Sequence, residues 1–88
     1  MGFDEVIRGL KEGRRYYRDG WNGKGMFLFL VPGSVFRVNR EPLLSVLGPN
    51  AIVAYRAHID IKTADGPVAV WTPSQEDMMA DDWKEVEV

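Results

Sequence analysis

Trp21-Asn22-Gly23-Lys24-Gly25 leads without a break into an apolar run over residues 26–31, which stops at Pro32-Gly33. The run alternates Met26, Leu28 and Leu30 on one face with Phe27, Phe29 and Val31 on the other. A strand that is apolar on both faces expects cover on both, so this segment is predicted to be the central strand of a sheet. The loop at its mouth places two flexible glycines, exposed backbone, one cation and one indole together, a combination suited to an anionic, ring-bearing ligand.

Composition bounds the rest. Eighty-eight residues with 45% hydrophobic content read as a single domain over 1–88 that buries roughly 60–65% of its unfolded surface, so self-association would stabilise it. The chain has no cysteine, which excludes a disulfide framework or a thiolate metal site and fits a reducing compartment. It shows neither a signal-peptide pattern nor an apolar run near the ~20 residues of a membrane span, and it reads as soluble and cytoplasmic. Residues 1–59 carry nine Lys/Arg against five Asp/Glu, and residues 60–88 carry two against eight. That split argues against binding long nucleic acid, permits a local basic pocket for a small anion, and equally permits self-association through opposite charges.

Periodicity supplies the elements. Phe3, Val6, Ile7 and Leu10 fall at helical spacing, with acids at the start, Lys11 at the end and Gly13 as the stop. Residues 14–18 read as a short strand, with Arg14, Arg15, Arg18, Tyr16 and Tyr17 as a basic-aromatic strip; 35–38 read as a second short strand and 41–47 as a helical turn or two. Over 55–63, Tyr55, Ala57, Ile59, Ile61 and Thr63 alternate with Arg56, His58, Asp60 and Lys62, which predicts one continuous strand with a polar row. Asp65-Gly66 signals a hairpin. A symmetric loop pairs Asp60 with Trp71 and sets Trp71 beside that row, whereas a bulge reverses the facing. Thr72-Pro73-Ser74-Gln75 reads as a helix start with Thr72 as N-cap and Met78 and Met79 turned inward. Trp83, Met78 and Met79 are placed in the core or at a subunit contact, and residues 83–88 read as a closing edge or pairing strand. The fold class is α+β, a twisted antiparallel sheet flanked by an N-terminal helix and a short C-terminal helix.

Each candidate site residue has two readings. Trp21 offers a flat stacking face, or packs back on the core. Asn22 and Gly23 can form an anion nest beside Lys24, or an ordinary turn with a solvated lysine. Arg56, His58 and Asp60 can line one groove, with Arg56 forking onto phosphate and Asp60 accepting from hydroxyls, or form a solvated sheet face. Trp71, Ser74 and Asp77 cluster at a helix start that attracts anions, although Asp77 also simply complements that end. A single histidine makes a His-based metal centre improbable. Asp60, His58 and Ser74 are the one conceivable catalytic triad, but no nucleophile-elbow sequence surrounds Ser74.

The words Trp21-Asn22-Gly23-Lys24-Gly25-Met26-Phe27-Leu28, Tyr55-Arg56-Ala57-His58-Ile59-Asp60, Thr63-Ala64-Asp65-Gly66 and Trp71-Thr72-Pro73-Ser74-Gln75, with Asp77 and Asp82-Trp83, resemble the second type of Thoeris anti-defence family of phages and bacteria. The resemblance spans the chain, departing at Ala57, where the family favours proline. It implies a non-catalytic sponge that binds cyclic ADP-ribose isomers made by TIR-domain enzymes, in some members also cyclic oligonucleotides, with no cofactor. It further implies a homotetramer with shared pockets, working in the host cytosol without membrane or nucleic-acid polymer. The ligand-binding residues it suggests are Trp21, Asn22, Gly23, Lys24, Arg56, His58, Asp60, Trp71, Ser74 and Asp77. The alternative is a phage structural or regulatory interaction module.

Overall fold

The computed structural model describes residues 1–21 and 24–87. Helix α1 (Phe3–Lys11) carries Asp4 and Glu5 in its first turn and Arg8 and Lys11 in its last, matching the helix dipole. It ends in a Schellman turn. Gly13 takes φ +88°, its N–H donates to the Leu10 carbonyl at 3.0 Å, and the Arg14 N–H donates to the Gly9 carbonyl at 3.0 Å.

Five antiparallel strands form the main sheet: β1 (Tyr16–Arg18), β2 (Phe27–Val31), β5 (His58–Lys62), β6 (Val68–Val70) and β7 (Trp83–Glu85), in the order β6-β5-β2-β1-β7. The apolar β2 is the central strand, as its composition requires. Strands β3 (Ser34–Arg37) and β4 (Ile52–Tyr55) make a separate two-stranded sheet, joined through helix α2 (Leu43–Leu47). Helix α3 (Gln75–Met79) precedes β7.

Val6 and Leu10 of α1 pack with Tyr16, Leu28 and Trp83 into the buried core, ringed by Phe3, Ile7, Trp21, Leu30, Ile59, Ile61 and Trp71. Gly9 is what lets α1 sit so close: a Cβ there would overlap the Tyr16 phenol. Pairing places Tyr16 opposite Leu28 and Leu28 opposite Ile61 on the α1 side. The other face carries Phe27, Phe29 and Val31 opposite Lys62, Asp60 and His58. These three apolar side chains are only partly buried. The expectation that β2 is fully covered on both sides holds at Leu28 alone, Leu30 on the α1 side being partly buried as well.

Three other expectations change. The strand expected over 55–63 is interrupted at Arg56 and Ala57. Counting three residues along each strand from the Val31–His58 pair reaches the Ser34–Tyr55 pair, so both ladders share one register and form a single ribbon broken midway. The break falls where Pro32, which has no N–H to donate, faces Ala57. Second, the hairpin after β5 closes with the Thr63 N–H on the Pro67 carbonyl at 2.9 Å and Gly66 at φ +113°. This leaves an odd, three-residue loop. Asp60 therefore pairs with Val70 rather than with Trp71, and Trp71 turns to the core side, 5.9 Å from Phe3 and 6.2 Å from Trp83 between ring centroids. Third, α3 is capped by Ser74, not Thr72. The Ser74 Oγ accepts from the Asp77 N–H at 3.0 Å and the Asp77 carboxylate accepts from the Ser74 N–H at 3.1 Å, a reciprocal box. Met78 and Met79 are exposed on that helix rather than turned inward.

Among the described residues, no helix is long and apolar enough to cross a membrane.

Candidate functional site

The loop between β1 and β2 borders a cleft of about 450 Å³, lined by Tyr17, Arg18, Asp19, Trp21, Lys24, Gly25, Met26, Phe27 and Val86. Alternation along β1 sends its residues to different places. Tyr16 enters the core, Tyr17 faces the cleft, and Arg15 stands over the Phe27 ring at 5.2 Å from its centroid. Lys62 lies over Phe27 at 5.8 Å and donates to the Gly25 carbonyl at 3.3 Å. Arg15 and Lys62 thus flank the Phe27 ring while Lys24 lines the cleft beside it, and none of the three forms a salt bridge with a described carboxylate. Asn22 and Gly23 lie outside the described residues.

Arg18 behaves differently. Its Nε donates to Asp82 at 2.8 Å and its Nη1 to Asp77 at 2.8 Å, with Arg18 and Asp77 side chains only 12% and 14% exposed. The Trp21 indole N–H reaches the same Asp77 oxygen at 3.4 Å. The Asp82 carboxylate also takes the Gly20 N–H at 2.8 Å. Burial pushes the Asp77 carboxyl up, but hydrogen bonds from Arg18, Ser74 and Trp21 outweigh it and hold the group below the ordinary carboxylate range. Hydrogen bonding from Arg18 lowers Asp82. The same two carboxylates raise Arg18. Trp21 is pinned edge-on against Trp83, ring centroids 5.3 Å apart. The indole packs on the core, the second of its sequence readings, and it also borders the cleft.

The remaining candidates lie elsewhere. Lys62 and His58 oppose the two ends of β2, about 13 Å apart at strand rise, so the β1–β2 loop and the His58 end do not share one cleft within a protomer. His58 places Nε2 3.4 Å from an Asp60 oxygen and Nδ1 3.1 Å from the Arg56 carbonyl. That Asp60 oxygen is buried without an aligned hydrogen bond among the described residues. Arg56 is exposed in the break between β4 and β5 rather than on the strand of His58 and Asp60. His58 and Trp71 border a second, apolar groove of about 470 Å³ between α1 and the sheet. Ser74 and Asp77 are engaged in capping α3, and Asp77 in holding Arg18.

Sequence reasoning did not place Phe27 at the loop cleft or Lys62 over its ring. Their pairing across β2 and β5 is the signal that brings them together, and it requires the register. Among the described residues no group of three or more His, Asp or Glu side chains is placed to hold a metal ion.

A five-stranded sheet covered by one N-terminal helix, with a glycine-rich aromatic loop at the mouth of its central strand, is the architecture of this chain; it belongs to the family of Thoeris anti-defense 2-like domains, whose model matches residues 1–86. Among curated relatives, the chain is 37% identical over 92 residues to "Thoeris anti-defense 2" of Bacillus phage SP01, a match covering 94% of this chain and 91% of that protein.

Proposed function

We propose that this chain acts against Thoeris defence as a sponge: it captures a cyclic ADP-ribose-type signal in the β1–β2 loop cleft and holds it without cleaving it. Cyclic oligonucleotides are the second ligand class. The observation that carries the reading is the cleft that sets Lys24 beside Tyr17, Phe27 and Trp21, with Arg15 and Lys62 standing over the Phe27 ring. Cations free of carboxylate partners suit a pyrophosphate, and aromatic faces suit an adenine ring. The cleft's size lies within the roughly 300–1,000 Å³ range of small-molecule sites. The family and the phage relative support the anti-defence role, exercised in the host cytosol by a homo-oligomer, a tetramer in the family's pattern. Arg56, His58, Asp60 and Trp71 then serve a second contact region or a neighbouring protomer's ligand.

The test is capture and release. Protein incubated with the product of an activated TIR enzyme, filtered and then heated should deplete the small molecule and return it unchanged. Chemically altered product overturns the sponge, and no depletion supports a pure interaction module, a reading favoured by the exposed β3–β4 ribbon. Lys24→Glu, at an exposed position, should weaken capture at least about tenfold with no loss of melting temperature. Trp21→Phe keeps the packing against Trp83 and separates the indole's contribution from that of the cation.

A further inference from the structure

Beyond Val31 and His58 the ribbon leaves the body of the protein as an arm over residues 33–57. Its strands β3 and β4 pair only with each other, and its buried Val38 stands outside the main core cluster. The chain is correspondingly elongated. Its Cα radius of gyration is 15.8 Å and its extents are 46 × 28 × 26 Å, where about 12 Å is the radius expected of a compact chain this long. Register places Val35 opposite Ala54 and Ile52 opposite Arg37 on one face of the arm, and Val35 and Ile52 are 70% and 66% exposed. A two-stranded ribbon is marginal in water unless a face is packed, and an apolar face on a protruding arm marks an interaction site rather than scattered surface exposure.

Charge says what covers it. The arm carries Arg37, Arg40 and Arg56 against Glu41, while the rest of the chain carries eight Lys/Arg against twelve Asp/Glu. Arm stacked on arm brings like charges together; arm on body pairs opposite ones. On the body, α3 presents Met79 at 80% exposure, with Met78 exposed beside it. The Glu76 side chain on the same helix is 84% exposed, with one oxygen at the 4.0 Å margin of an ion pair to Arg18, and Asp81 follows. Unbranched thioethers adapt readily to an incoming β-branched face.

We propose that the β3–β4 arm docks on α3 of a second copy of this chain, its Val35 and Ile52 face against Met78 and Met79 and Arg37 toward Glu76. Two copies exchanging arms in this way close a twofold dimer in which each contact occurs twice. The inference rests on the homo-oligomer part of the functional reading and is independent of the ligand.

The absence of native cysteine gives a clean test. In the double variant Ile52→Cys with Met79→Cys, mild oxidation should link chains into covalent dimers on a non-reducing gel, at least about tenfold faster than in either single variant. Equally fast linkage of Ile52→Cys alone means arm meets arm and overturns the proposal. No linkage of the double variant, where light scattering shows the wild type to be oligomeric, overturns the docking while leaving the oligomer intact. A monomeric wild type overturns both. As a readout free of cysteine, Arg37→Glu and Glu76→Arg should each weaken association about tenfold and together restore it; additive weakening counts against the pairing.

Discussion

Arg18 ties β1 to α3 through Asp77 and to the turn before β7 through Asp82, donating to both from a nearly buried guanidinium. Both carboxyls lie below the ordinary range in the folded chain, so the unfolded chain takes up protons first as acid is added. Their contribution is complete above the unfolded carboxylate pKa of about 4 and is lost as pH falls through the lower folded values. Thermal melts stepped from pH 6 to pH 3 should show that loss. In Arg18→Met the acid dependence should flatten and stability at neutral pH should fall by about 1–3 kcal/mol, since the largely buried Asp77 carboxylate loses its charged donor. A wild-type melting point flat down to pH 3 would contradict this assignment. At Gly9, the close approach of Tyr16 leads to a second expectation: Gly9→Ala should cost about 1–3 kcal/mol in urea unfolding, despite alanine's better helix propensity, because the buried phenol must shift.

The elements differ in how far local residues specify them. Helix α1, its Schellman stop and the central strand β2 follow from periodicity and glycine placement and stand where those signals put them. The facing of Trp71 does not, because it depends on whether the hairpin after β5 has an odd or an even loop. Asp65-Gly66 permits both, and Pro67 closing on Thr63 selects the odd one. Gly66 at φ +113° should then resist substitution: Gly66→Ala is expected to cost about 1–3 kcal/mol by denaturant midpoint, with the slope unchanged. The start of α3 is a similar case. Thr72 and Ser74 are both competent N-caps, but only a start at Ser74 sets Asp77 at the third helical position, where one carboxylate caps the helix and receives Arg18.

At the scale of the whole molecule, the partly covered β2, the exposed methionines of α3 and the protruding arm leave apolar surface open, which the proposed self-association would cover. Binding that favours only the folded, assembled state makes melting depend on concentration. The melting temperature should rise by several degrees between roughly 1 and 100 µM protein, whereas a concentration-independent melt would indicate a self-sufficient monomer. Of the candidate site, the Trp21 loop, Lys24 and the polar pair His58 and Asp60 were legible, since glycine-flanked aromatics, a lone cation and strict alternation are local signals. The basic-aromatic strip already held Arg15 and Tyr17, but the contributions of Phe27 and Lys62 were not legible, because strand register across 35 residues of chain brings Phe27 opposite Lys62. Backbone conformation, capping and side-chain alternation are settled within a few residues, and the order of amino acids is sufficient to state them. Which face meets which, where the long ribbon breaks and which carboxylates Arg18 holds depend on loop parity and on partners distant in the chain, and only the assembled tertiary structure resolves those choices.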